Sequence, residues 1–195
     1  KHARFTLLVI APKADLLPKI EEAVKKTGIS VAIHNHGPED KIFPAPSDAL
    51  KLIKDMDPRV GLCVDVGHTT RTGKDVVQEI ADAGARVLDM HMKDLKDLMN
   101  KNSQVPVGDG KMPVAEIFKQ LVKMKFPGYV NLEYEIDADD PLPGMKKSFD
   151  HMRKVAAEVG RLGDNVAALR AGIRGDGILR AALARPDAKV VVLGH

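Results

Sequence analysis

A parallel βα protein is the fold class this sequence predicts, and three observations predict it. Short apolar runs rich in β-branched residues recur at 5–10, 29–33, 60–64, 86–90 and 129–132. Amphipathic stretches of helical period follow them, at 16–26, 47–55, 74–83, 114–125 and 142–158. The composition, 44% hydrophobic and 29% charged, can bury a core and excludes wholesale disorder. Strands separated by helix-length segments pair in parallel, because such a connection must cross the sheet face.

The elements carry local signals in chain order. Gly28 and Gly84 follow the first and third helical stretches as C-terminal stops. Ser47 precedes the second stretch and Pro113 the fourth, both as helix-start residues. Five βα units fit either a doubly wound open sheet or the later part of an eight-stranded βα barrel. A complete barrel takes about 250 residues, so a 195-residue chain is short by several units. The first strand is followed by no Gly-x-Gly-x-x-Gly and no phosphate-loop lysine motif occurs, so a nucleotide-binding sheet lacks its usual cradle. Gly108-Asp109-Gly110 follows no strand and identifies nothing by itself.

Thirty basic and 27 acidic residues leave a net charge of +3, too mild for a dedicated nucleic-acid binder. Residues 1–160 carry 24 of each sign, so the excess belongs to an Arg- and Ala-rich appendix at 161–195, read as a solvated helix pair of unassigned role. Cys63 is the single cysteine, which excludes an intramolecular disulfide and a cysteine-held zinc and suits a reducing, cytoplasmic compartment. No apolar run approaches the roughly 18 residues that span a bilayer. Neither a membrane nor nucleic acid is therefore an expected partner. The chain starts at Lys1, next to a strand-like run, and further chain carrying any targeting signal is expected ahead of it.

The ionisable residues are placed systematically. Four apolar strands end in one before a polar loop: Val31-Ala32-Ile33-His34, Leu62-Cys63-Val64-Asp65, Leu88-Asp89-Met90-His91 and Val130-Asn131-Leu132-Glu133. In βα folds the carboxyl ends of the strands form the functional face, so these four are expected to converge. Period-2 alternation puts His34 with His36, Asp89 with His91, and Glu133 with Glu135. Each residue alone has a plain structural reading, a hydrogen-bonded histidine or a helix-capping Asp. Four strands with the same placement favour a divalent-metal site instead. Mixed imidazole and carboxylate donors suit Mn²⁺, Co²⁺, Zn²⁺ or Fe²⁺ better than Ca²⁺, with Mg²⁺ also open. His68, three residues past Asp65, and Lys93, two past His91, are candidates for substrate contact, together with His36, Gly108 and Glu135.

At these residues the chain resembles the xylose-isomerase-like TIM-barrel superfamily, in particular its sugar phosphate isomerase and epimerase group, related to AP-endonuclease-type barrels. The segments that carry the resemblance are VAIHNHG (31–37), GLCVDVGHTTRTG (61–73), VLDMHMKD (87–94), VPVGDGKMP (105–113) and GYVNLEYE (128–135), in the family's order. The resemblance implies that residues 1–160 are the C-terminal part of a (β/α) barrel whose early strands precede Lys1, and that the chain is a fragment or pairs with another chain, such as a second copy, to close its sheet. It also implies a metal held by Glu, Asp, His and Glu at the ends of the last four strands. Asp65, His91 and Glu133 match, and His68 matches the histidine that follows the Asp. The first position departs, with His34 where the family has Glu, so His34 or His36 would supply that ligand.

The function expected from this is a metal-dependent sugar isomerase or epimerase that removes a proton next to a carbonyl of a sugar, keto-sugar or sugar phosphate. Glu133, His34 or His36 is the base; an imidazole of unperturbed pKa about 6.5 suits that role near neutral pH. Without a carboxylate at position 34, a two-carboxylate epimerisation loses one partner, so elimination from a 3-keto-glycoside, which needs one base, is the runner-up. A non-catalytic sugar- or partner-binding fragment is a third reading. Phosphodiester cleavage of damaged DNA is disfavoured, since no Asp-x-His follows the His91 motif.

Overall fold

The computed structural model describes residues 6–160, so the appendix expected at 161–195 lies outside the described residues. The elements are β1 (Leu7–Ile10), α1 (Leu17–Thr27), β2 (Ser30–His34), α2 (Pro46–Ile53), β3 (Val60–Asp65), α3 (Val66–Arg71), α4 (Val76–Ala83), β4 (Val87–Met92), β5 (Asp94–Leu95), β6 (Gln104–Val105), α5 (Val114–Lys123), β7 (Tyr129–Leu132) and α6 (Leu142–Gly160). The chain divides into two compact units, Lys1–Met90 and His91–His195. The division falls within β4. Among the described residues no helix is long and apolar enough to cross a membrane.

In the first unit β1, β2 and β3 are parallel neighbours, with Leu8 beside Val31 and Ile33 beside Leu62, and β4 follows β3. This order never reverses, which is the βα-barrel order and not that of a doubly wound sheet, where strand order switches direction. Every residue of β3 is buried, which its continuous apolar run requires of a parallel strand covered on both faces. Gly61 lets β3 and β4 approach: a Cβ there would stand 2.5 Å from the Arg86 carbonyl oxygen and from the Leu88 side chain. α1 ends on Gly28 in the left-handed region (φ 73°), and Asp75 caps α4 by accepting from the Val77 and Gln78 amides.

The helix start expected at Ser47 lies one residue earlier, at Pro46. The Ser47 amide donates to Glu79 Oε2 (2.8 Å), so a side chain from α4 satisfies that first-turn donor. Arg86 closes the opposite end of the unit. Its guanidinium donates to the carbonyls of Asp57, Val60, Lys54 and Met56 at 2.7–3.0 Å, tying the exit of α2 to the start of β3.

In the second unit α5 buries Val114, Ile117, Phe118 and Leu121, a helical-period stripe, and α6 buries Met145, Phe149, Met152, Val155, Ala156 and Val159. The Glu133 amide donates to the Met92 carbonyl (2.9 Å), so β7 runs out beside the end of β4. The residues after β4, read as loop, form the short antiparallel pair β5–β6.

Two substitutions test this packing. Gly61→Ala is expected to lower unfolding free energy by about 1–3 kcal/mol through overpacking, read as a shift in the urea midpoint. Arg86→Met, which leaves four carbonyls without their shared donor, is expected to cost about 1–3 kcal/mol in the same measurement.

Candidate active site

The strand ends are built where the sequence places them, one unit at a time. In the first unit β2 ends in His34 and β3 in Asp65, both with zero exposure. His34 Nε2 stands 3.7 Å from Asp65 Oδ2. The opposite ring edge of His34 meets the second predicted histidine, Nδ1 lying 3.2 Å from His36 Nε2, and His36 Nδ1 is 3.6 Å from Asp40 Oδ2. His36 is not on the strand. β2 stops at His34, and the backbone turns so that the two rings, two residues apart, still meet with centroids 4.4 Å apart.

Asp65 performs the capping role that the sequence left open. Its Oδ1 accepts the His68 amide at 2.6 Å and starts α3, a helix read from sequence as polar loop. Its own amide donates to Asn35 Oδ1 (3.0 Å), and Asn35 Nδ2 donates to Thr69 Oγ1 (3.1 Å). Asn35 thus locks the end of β2 to the start of α3. It escaped the sequence reading because an Asn between two histidines carries no signal of its own; only its 2% exposure marks it.

His68, in the first turn of α3, faces Asp65 with Nε2 at 4.0 Å from Oδ2. Its Nδ1 lies 2.9 Å from Nη2 of Arg71, a second residue missed from sequence. Arg71 is 5% exposed and donates to both carboxylate oxygens of Glu39 at 2.7 and 2.8 Å. The spacing could have shown it, since positions three apart on a helix share a face.

In the second unit His91 Nδ1 lies 2.8 Å from Glu133 Oε2. Lys93, 3% exposed, donates to Glu135 Oε2 (2.7 Å) and stands 3.7 Å from Glu133 Oε1. A buried ammonium between two carboxylates is thereby neutralised, which its desolvation demands. Gln104 braces this strand end: its amide donates to the Glu133 carbonyl (2.6 Å) and accepts from the Glu135 amide (3.1 Å). Gly108, φ 102°, gives its amide to Asp94 Oδ2 (2.9 Å), and the same buried carboxylate accepts from Leu95, Gly110 and Met112. Tyr134 donates to Asp137, and burial, reinforced by that carboxylate, raises its phenol above the ordinary range, so it stays a neutral donor.

The first unit therefore groups His34, His36, Asp65 and His68, and the second groups His91, Lys93, Glu133 and Glu135. Each contains imidazole and carboxylate together, buried or nearly so, which is the donor chemistry a divalent transition metal takes. Such a set fits a metal without thiolate.

Residues 14–155 match the model of the family described as xylose isomerase-like TIM barrel. Among curated proteins the chain is 24% identical over 161 residues to the rhizopine catabolism protein MocC of Rhizobium meliloti, covering 74% of this chain and 49% of that one. It therefore spans about half the length of the relative it matches. Among solved structures, the 3-keto-D-glucoside 4-epimerase YcjR from E. coli aligns with a TM-score of 0.63 at 24% identity, over 72% of this chain and 52% of that one. A D-tagatose 3-epimerase-like protein aligns at 0.64 and 18% identity, over 80% and 64%. The IOLI protein with a bound zinc atom aligns at 0.65 and 16%, over 82% and 64%. These likenesses establish a shared fold, and with the family match across most of the described residues they place the chain: it belongs to the xylose isomerase-like TIM barrel family.

Proposed function

We propose that this chain is the metal-binding part of an enzyme that removes a proton next to a carbonyl of a sugar or keto-sugar, with His34, Asp65, His91 and Glu133 as ligands of one divalent cation. The observation that carries the reading is the pairing of imidazole with carboxylate at strand ends in both units, His34 with Asp65 and His91 with Glu133. Burial makes an uncompensated carboxylate costly at such positions. A cation balances it.

When bound, a divalent cation polarises a carbonyl and its neighbouring hydroxyl and so eases removal of the C–H proton between them. The chain's own residues supply the rest. Glu133, beside His91 and Lys93, or a histidine of the 34/36 pair accepts the proton. The His34–His36 contact offers that proton a path outward, because His34 is fully buried whereas the His36 side chain is 23% exposed. His68 and Lys93 hold the substrate oxygens, with Gly108 and Glu135 lining its approach. That contact between imidazoles also supports a second reading, elimination from a 3-keto-glycoside, which takes one base on one face. The substrate in either case is a small carbohydrate. The compartment proposed is the cytoplasm.

Two measurements test this. Purified protein is expected to hold about one transition metal per chain, most of it lost in Glu133→Gln. A chain that cannot be loaded, or full occupancy in the variant, would count against the enzyme reading and favour a non-catalytic sugar- or partner-binding fragment. In D2O, candidate keto-sugars are expected to gain deuterium next to the carbonyl, read by proton NMR, with His34→Ala slowing exchange by about 10²–10⁴-fold. Products retained as epimers or losing an aglycone separate the two readings.

A further inference from the structure

The Arg71–His68 contact has one chemically permitted direction. A guanidinium carries five N–H donors and no lone pair, and it stays protonated at any working pH. His68 Nδ1, 2.9 Å from Arg71 Nη2, must therefore accept. The imidazole's proton is then on Nε2, the edge turned toward the Asp65 carboxylate at 4.0 Å. We infer that Arg71, braced by Glu39, is a positioning residue that fixes His68 as an Nε2–H donor to a substrate oxygen and removes it from the set of metal ligands.

The surroundings leave Arg71 little choice of position. Glu39 holds both terminal nitrogens, at 2.7 and 2.8 Å. A charge-assisted bidentate pair fixes the plane of the guanidinium as well as its distance. Gly37, φ 79°, provides the space: a Cβ there would stand 2.7 Å from Arg71 Nη2 and 3.2 Å from the His68 carbonyl oxygen. Helix α3 supplies the alignment, since its positions 68 and 71 fall on one face.

Ligation needs a lone pair on nitrogen. In His68 the Nδ1 pair is engaged by Arg71 and the Nε2 site carries the proton, so neither edge offers one. The His68 side chain is 18% exposed while Asp65 is fully buried. A polarised N–H there, with a carboxylate on one side of the ring and a guanidinium on the other, suits a hydroxyl or carbonyl oxygen of a sugar. That last step rests on the function proposed above; the position of the proton does not.

Long-range proton–nitrogen NMR of the metal-free 195-residue chain reads the tautomer directly, with His68 assigned by loss of its signals in His68→Gln. The expected wild-type pattern is a protonated Nε2 and an accepting Nδ1. Arg71→Met is expected to mix the two tautomers, and Arg71→Lys to restore part of the wild-type pattern. Should Arg71→Met fail to fold, Glu39→Ala carries the test, since that side chain is 50% exposed, and a smaller shift in the same direction is expected. A proton on Nδ1 in the wild type, or a tautomer unmoved by both the Arg71 and Glu39 substitutions, overturns the inference. Titration with Zn²⁺ alone is expected to give His68→Gln the wild-type stoichiometry and affinity; a loss of tenfold or more, the scale on which supporting groups already act, would make His68 a ligand and overturn it. Failure of Glu133→Gln to release metal concerns the proposed function and leaves the NMR result standing.

Discussion

A carboxylate with no exposure, at the end of a strand with none, has to be met by donors or it destabilises the fold. Asp65 is that group, and much of the first unit is arranged around it. One oxygen takes the backbone amide that begins α3, and the other faces the imidazoles of His34 and His68. Its own amide is held by Asn35, and its carbonyl accepts the Thr69 hydroxyl at 2.6 Å. The end of β2, the end of β3 and the first turn of α3 are thus tied to one residue. A helix of six residues would be marginal in isolation; here its start is set by a cap and its end by the Arg71–Glu39 pair.

The second unit uses the same device twice. Asp94 gathers four backbone amides, so the segment around Gly108 and Gly110 wraps a carboxylate instead of packing an apolar side chain. At Gly110 a Cβ would run into that carboxylate, so the close wrap requires glycine there. Glu133 and Glu135 share Lys93, and Gln104 holds the backbone between them as a neighbouring strand would. Rigid support of this kind lets a short strand end hold ionised groups in fixed positions, and pre-positioned charge is what polar catalysis requires.

His34 in place of a carboxylate changes the balance of these groups. It brings one fewer negative charge to a buried strand end and adds a ring whose two nitrogens do different things, one toward Asp65 and one toward His36. A carboxylate could only accept in that second contact, whereas an imidazole can either donate or accept.

The βα rhythm, the five strands and the placement of His34, Asp65, His91 and Glu133 at their ends could be read from the sequence, because period and terminal position are local properties that burial preserves. The barrel order needed strand neighbours that no single run specifies. Helix α3 was missed because Val66-Gly67-His68-Thr69-Thr70 has poor helical propensity, and a capping carboxylate together with burial overrides it. Asn35, Gln104 and Arg71 were missed for a related reason. Their roles depend on which backbone group or ring edge lies within hydrogen-bond reach, and for Arg71 the partner is a glutamate 32 residues away. The sequence by itself determined which chemical groups stand at the strand ends; tertiary structure alone decided which atom of each faces which partner, because a hydrogen bond is directional and the chain's hydrophobic pattern is not.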